Sequence, residues 1–163
     1  MELEELYQEI QPRIFAFFFV KTSSKELAED LTQEVFYEAI KGLNSFSQKS
    51  TIQTWLFSIA KNRLKKHYRS KKYKDNLHEI LAKEEHPSTT PEELLLIKEE
   101  KISIIEQINQ LDELAKEIVT LRVYGELSFK EIGILIEKSE NYARINFHRA
   151  KLKLQKEMEG YHG

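Results

Sequence analysis

The chain has 163 residues, 25 basic and 27 acidic side chains, 40% apolar residues and no cysteine. That length holds one compact domain or two small ones and excludes a large multidomain enzyme, and five glycines with three prolines are too few for a β-sandwich. Without cysteine there is no disulfide, thiolate metal site or thiol nucleophile, which suits a reducing compartment.

The opening MELEELYQEI lacks a basic start leading into an apolar stretch, so no signal peptide is expected. Leu3, Leu6, Tyr7, Ile10, Ile14, Phe17 and Phe18 recur at three- and four-residue steps and predict an amphipathic helix to about Val20, with Pro12 its irregularity. The apolar run from Ile14 to Val20 is far short of the ~20 residues of a membrane span. Ser23 with Glu26 reads as a capping box, and Leu27, Leu31, Val35, Ala39 and Ile40 supply the apolar stripe of a second helix over 24–41. Its other side carries Glu29, Asp30, Gln33 and Glu34, a polar surface that folding does not require.

Gly42 closes that helix, and the polar segment from Leu43 to Thr51, holding Phe46, predicts a loop. Ser50 with Gln53 caps a third helix, whose buried face is Ile52, Trp55, Leu56, Ile59, Ala60 and Leu64 while Lys61, Lys65 and Arg69 project elsewhere. His86, Pro87, Ser88, Thr89, Thr90 and Pro91 have the composition of a linker, and Thr90, Pro91 and Glu93 start a new helix continued by Leu94, Leu95, Ile97, Ile102, Ile105 and Ile108. Three short helical patterns follow. Leu114, Ile118, Leu121 and Val123 mark one that ends at Gly125; Ser128 and Glu131 cap the next, and after a turn at Glu137 and Lys138, Ser139 caps a third containing Tyr142, Ala143, Phe147, Ala150, Leu152 and Leu154. That spacing is helix-turn-helix. The chain therefore reads as all-α, with two small helical domains joined by a flexible linker: 1–74, a connection over 75–104, and 105–160. Two domains of that size each bury only about 60% of their unfolded surface, so each is marginal alone.

Charge is distributed unevenly. Residues 1–40 hold nine acids and three bases, 61–74 hold eight bases and no acid, 75–107 hold nine acids and three bases, and no acid interrupts 141–156. Cationic clusters in an otherwise acidic chain point to a polyanion on one set of faces and a basic protein surface on the other. With six arginines against nineteen lysines, most of these contacts are with charge rather than bidentate.

Ala28 to Phe36 (AEDLTQEVF) and Thr54 to Arg63 (TWLFSIAKNR) closely resemble the second conserved region of the extracytoplasmic-function sigma factors of bacterial RNA polymerase. Leu111, Phe129-Lys130-Glu131-Ile132 and Phe147-His148-Arg149-Ala150-Lys151 resemble the fourth region of the same family. The resemblance implies that Asp30, Gln33 and Glu34 dock on the clamp of the largest subunit of core RNA polymerase. It implies that the loop 45–51 and the helix after it open the minus-ten promoter element, with Phe46 lining a pocket for an extruded base and Lys61, Asn62, Lys65, Lys66 and Arg69 holding the displaced strand. Trp55, by its place in the apolar stripe, belongs to the core. Arg144, Ile145, His148 and Arg149 match positions facing the minus-thirty-five element. Tyr142, Ile145 and Asn146 depart from the family pattern, as does Asp112 where Pro is usual, and Ala143 with Phe147 exchanges volume between neighbouring turns.

The histidines show no metal-ligand spacing and there is no Gly-rich phosphate loop, so no cofactor and no catalysis are expected, and polymerisation chemistry belongs to the partner. The implied partners are core RNA polymerase, promoter DNA and an anti-sigma factor, with no membrane insertion and a cytoplasmic location. The alternative is a stand-alone dimeric helix-turn-helix regulator, which requires a dimerisation helix with sustained heptads that the 91–110 segment is too short to supply; a helical scaffold with an incidental basic face is a further one.

Overall fold

The computed structural model describes residues 3–47, 49–81 and 99–162, and among them the backbone forms seven α-helices and one short 3-10 turn, with no strand. Helices α1 (Leu3–Thr22), α2 (Lys25–Gly42) and α3 (Ile52–Leu81) make an N-terminal module; α4 (Glu99–Asn109), α5 (Glu113–Val123), α6 (Phe129–Ile136) and α7 (Glu140–His162) make a C-terminal one. The linker composition at 86–91, the cap at Thr90, Pro91 and Glu93, and the apolar positions 94, 95 and 97 lie outside the described residues.

Helix α1 continues through Pro12. Proline removes the bond to the carbonyl of Gln8, but both residues are exposed, so water satisfies it. Two caps fall one residue later than the sequence pattern places them. Ser24, not Ser23, caps α2: its backbone is extended and its side chain accepts from the Leu27 amide at 3.2 Å, while Ser23 turns left-handed at φ 56°. Thr51, not Ser50, caps α3 by accepting from the Thr54 amide at 3.1 Å. Where two hydroxyl residues adjoin, spacing alone does not choose between them, because the cap is fixed by which one keeps an extended backbone.

In the C-terminal module the expected caps are met: the Ser128 and Glu131 box has both of its hydrogen bonds, and Ser139 accepts from Tyr142, while Asp112, not read as a cap from sequence, accepts from Ala115. Between α6 and α7 Glu137 adopts φ 60°, closing the first helix through bonds to the Gly133 and Ile134 carbonyls. Gly133 is needed there because a Cβ would stand 2.8 Å from the Lys138 carbonyl oxygen. The helix-turn-helix is thus set by a cap, a left-handed residue and a glycine.

The two helical domains are docked on one another. Ile14, Phe17, Leu56, Phe57 and Ala60 of the first are continuous in one buried cluster with Ile118, Leu121, Leu127, Ile132 and Ala143 of the second. Phe57 is fully buried and lies against Gly125, where an added Cβ would be 3.2 Å from its ring and 2.6 Å from the Leu121 carbonyl oxygen. Gly125 is required for that close approach, and the positive φ of the turn falls on Glu126. A smaller cluster joins Val20 to Ile108, Leu111, Val119 and Ala150. Pooling the cores answers the marginal size of each half.

Polar groups line the seam between the modules. Arg13, buried in α1, donates through Nε to the Gly125 carbonyl at 2.8 Å and through Nη2 to Glu126 O and Gln53 Oε1. Lys21 and Lys61 both pair with Glu117, and Lys61 Nζ also donates to the Leu135 carbonyl at 2.8 Å. Thr51 and Thr54 donate to Glu131 Oε2 at 2.8 and 3.2 Å.

Four residues expected in apolar stripes are exposed instead: Tyr7, Ile40, Val123 and Leu152, of which Tyr7 still meets the Phe36 ring edge-on at 4.7 Å.

Candidate protein- and nucleic-acid-binding surfaces

Helix α2 buries Ala28, Leu31, Thr32, Val35 and Ala39, and this orientation turns Asp30, Gln33 and Glu34 to solvent together. The carboxylates of Asp30 and Glu34 lack an ion pair among the described residues. Glu38, on the flank, is held by Arg63 Nε at 2.8 Å, which ties α2 to α3. The structure adds two apolar residues to this face. Tyr37 follows Asp30, Gln33 and Glu34 by seven, four and three positions and is 62% exposed, with the Lys41 ammonium 4.3 Å from its ring centre; Ile40 is 64% exposed. The sequence reading missed Tyr37, although helical spacing from the acids gives it, and misassigned Ile40 to the core.

The second surface is the loop before α3 and the helix behind it. Phe46 is half-buried, its ring 5.0 Å from that of Trp55, which is itself half-buried and passes within 3.4 Å of where a Gly42 Cβ would be. Trp55 packs with the core cluster, as its place in the stripe predicts, and one side of it supports Phe46. Asn62, Lys65, Lys66 and Arg69 are exposed, within a helical run of bases that continues to Lys74. Lys61 differs: it is turned into the seam, and burial pushes its ammonium below the ordinary lysine range, partly countered by Glu117. Lys61, Asn62 and Lys65 line a cavity of about 850 Å³ faced from the other module by Glu113, Glu117 and Glu137.

The third surface is the outer face of α7. Arg144, Ile145, His148 and Arg149 are all exposed, and their spacing puts them on one side of the helix, opposite buried Ala143 and Ala150. Arg144 is positioned before any ligand arrives: Nη2 bonds Glu140 Oε1 at 3.1 Å, and the guanidinium lies 5.6 Å from the centre of the Phe129 ring. Arg122, from α5, stacks on the same ring at 4.1 Å and donates to the Leu127 carbonyl. Phe129 thus bears two guanidinium groups, and its own partners are Phe147 and His148. Arg122 was not expected at this surface from sequence, because it lies on a different helix from the recognition residues. Asn146 bonds the Tyr142 carbonyl four residues back and is half-buried, so the residue standing where the family commonly has a base turns to its own helix.

No group of three or more His, Asp or Glu side chains among the described residues is arranged to hold a metal ion, and no helix among them is long and apolar enough to cross a membrane.

A helix-turn-helix with an open cationic face, beside a helical module that sets a free acidic stripe against a cationic helix, has the architecture of a two-module transcription protein. Residues 6–73 match Sigma-70 region 2 and residues 101–154 match Sigma-70 region 4. The chain is 32% identical over 159 residues to RNA polymerase sigma factor YlaC of Bacillus subtilis, covering 96% of this chain and 91% of that one. It is 28% identical over 159 residues to ECF RNA polymerase sigma factor SigM of the same organism, covering 95% and 94%. The fold is shared with the sigma factor RpoE of Bartonella quintana, solved in complex with the anti-sigma factor NepR, at TM-score 0.72 and 19% identity over 96% of both chains. The chain belongs to the sigma-70 family, in its extracytoplasmic-function group, and is a promoter-directing sigma factor.

Proposed function

We propose that this sigma factor grips core RNA polymerase through Asp30, Gln33 and Glu34 on α2, places the melted minus-ten strand along Phe46, Asn62, Lys65, Lys66 and Arg69 with Lys61 at its edge, and reads the minus-thirty-five element with Arg144, Ile145, His148 and Arg149. The observation that carries this assignment is the separation of charge on the folded surface. Asp30 and Glu34 stand free on a helix whose packing needs neither of them, while the exposed bases of α3 and α7 fall on the two modules matched to the family.

Each surface suits its task physically. A free carboxylate stripe with an aromatic at its end complements a basic helical partner. Lysines at successive turns follow a phosphate backbone without reading sequence, and a half-buried aromatic pair at the loop offers a stacking surface for an unpaired base. Arginines on a recognition helix distinguish guanine through O6 and N7 at about 1–3 kcal/mol each. The chain itself catalyses nothing, nucleotide addition belongs to the polymerase, and the protein works in the cytoplasm, where core enzyme and promoter are found. An anti-sigma protein, such as the solved neighbour carries, is the expected inhibitor.

The test is run-off transcription from genomic fragments with core enzyme, alongside gel shifts with and without core. Promoter binding that needs core supports the assignment, whereas tight binding by the free chain would support a stand-alone regulator. Asp30→Lys combined with Glu34→Lys should abolish capture of core with an unchanged circular-dichroism spectrum; undiminished capture removes the α2 assignment.

A further inference from the structure

Helix α7 holds two asparagines whose side chains are used differently. Asn146 Nδ2 donates to the Tyr142 carbonyl at 2.8 Å, which turns that carboxamide onto its own helix. Asn141 is exposed, and its carboxamide has no hydrogen-bond partner among the described residues. Folding does not ask for it. Ser139 already caps α7 by accepting from the Tyr142 amide at 3.0 Å, and asparagine is a poorer helix former than alanine or glutamate in the turn it occupies.

The position of Asn141 gives it a role. It precedes Arg144, Ile145 and His148 by three, four and seven residues, the spacing of one helical stripe, and all four are exposed opposite buried Ala143 and Ala150. Asn141 stands at the N-terminal end of that stripe, the end of a recognition helix that meets base edges in the major groove. Its neighbours differ in what already holds them. Arg144 Nη2 is bonded to Glu140 Oε1 at 3.1 Å with its guanidinium 5.6 Å from the centre of the Phe129 ring, and the His148 ring lies against Phe129 and Phe147. Both are thereby fixed on the flank that faces α6. The middle of the stripe is left to Asn141 and to Ile145, an apolar side chain 42% exposed.

Chemistry then selects the bases. A carboxamide pairs bidentately with adenine, Nδ2 donating to N7 and Oδ1 accepting from the N6 amino group; guanine presents two acceptors, N7 and O6, and would leave Oδ1 facing one of them. A branched aliphatic side chain has no polar contact to make and packs on the C5 methyl of thymine. Four residues apart, the two side chains are separated by about 6 Å along the helix axis, about two base-pair steps.

We propose that Asn141 is a base-reading residue of this sigma factor and specifies an adenine in the minus-thirty-five element, with Ile145 specifying a thymine about two base pairs away. This deepens the assignment of α7 made above and rests on it, adding a residue to the reading face and naming the bases it takes.

Holoenzyme assembled from core enzyme and the full chain is equilibrated with promoter DNA whose upstream element is randomised, and the bound fraction is sequenced. The parent chain should select an element with one strongly preferred adenine and a thymine close to it. Asn141→Ala should reduce the preference for that adenine about tenfold, within the range of one bidentate contact, and leave the other positions as they were. Asn141→Arg should move the preference there from adenine to guanine, a change that a misfolded or merely weakened protein does not show. Ile145→Ala should lower the thymine preference alone. The inference is overturned by a selected element without adenine, by an adenine preference that survives Asn141→Ala, or by a loss equal for all sequences, which would make Asn141 a phosphate contact only. Arg149→Ala separates this inference from the assignment beneath it. If that variant relaxes the element while the Asn141 variants do not, α7 reads DNA without Asn141; if no element is selected at that distance by any of the proteins, the assignment of α7 falls and this inference with it.

Discussion

Arg13 offers the sharpest measure of whether the two regions unfold as one body. Arg13→Ala removes three hydrogen bonds from a buried guanidinium, to Gly125 O, Glu126 O and Gln53 Oε1. Water can take over at Glu126, which is exposed, but Gly125 is buried and its carbonyl loses its partner. An orphaned buried acceptor costs about 1–3 kcal/mol, and the lost bonds from a charged donor add to it, while release of a desolvated charge offsets part. The ion pair to Glu126 adds little, since that carboxylate is 67% exposed. The net is about 2–3 kcal/mol, and at roughly 2–4 °C per kcal/mol for a chain of this size the melting temperature should fall by about 5–10 °C. Scanning calorimetry should show one transition in the parent chain and a lowered or divided one in the variant. A single transition within about 1 °C of the parent would refute the pooled core as a cooperative unit.

Tyr37→Ala should weaken capture of core without altering melting. Covering the exposed part of the ring buries about 100 Å², so at about 25 cal/mol per Å² up to about 2.5 kcal/mol, on the order of fiftyfold in Kd, is at stake in a titration with core enzyme. Arg149→Ala should lower discrimination among minus-thirty-five sequences in competition gel shifts of holoenzyme, whereas Lys65→Ala with Lys66→Ala should weaken all promoters alike and reduce the salt dependence by about 0.7 per lost phosphate contact on single-stranded DNA. Glu131 gives a pH signature. Burial pushes its carboxyl up, but bonds from the Ser128 amide, the Thr51 and Ser128 hydroxyls and Thr54 outweigh it and hold the group below the ordinary carboxylate range. A depressed value means that the contribution to folding is complete above the ordinary range and is lost as pH falls through the lowered one. The melting temperature should therefore fall on acidification, and Glu131→Gln should remove that component; identical pH profiles of melting in the two proteins would exclude Glu131 as its source.

What was legible in the sequence was local. The capping box at Ser128 and Glu131, the turn at Glu137, the stripe that buries Leu31 and Val35, and the outward face of Asp30, Gln33 and Glu34 all follow from residues within a few positions of one another. The two caps misplaced by one residue show the limit of that reading, since Ser23 and Ser24 offer the same hydroxyl and differ only in backbone angle. Ile40 exposes a second limit: helical periodicity marks a stripe, but the facing helix decides where the stripe stops being covered.

The seam lay beyond reach for a different reason. Arg13 meets Gly125 across 112 positions and Thr51 meets Glu131 across 80, and no local pattern couples residues so far apart. Yet one trace of it was present. Lys61 belongs to a cationic run, and Glu117 belongs to the opposing module and caps no helix, so on an exposed face of a DNA-binding domain it would only repel the phosphate backbone. Its cations, Lys21 and Lys61, are supplied by the other region. Glu131 differs, because its partners in the seam are uncharged hydroxyls and one carboxylate serves both the cap of α6 through Ser128 and the seam through Thr51 and Thr54. A sequence pattern therefore accounts for Glu131 fully by the cap, and its second role leaves no local trace.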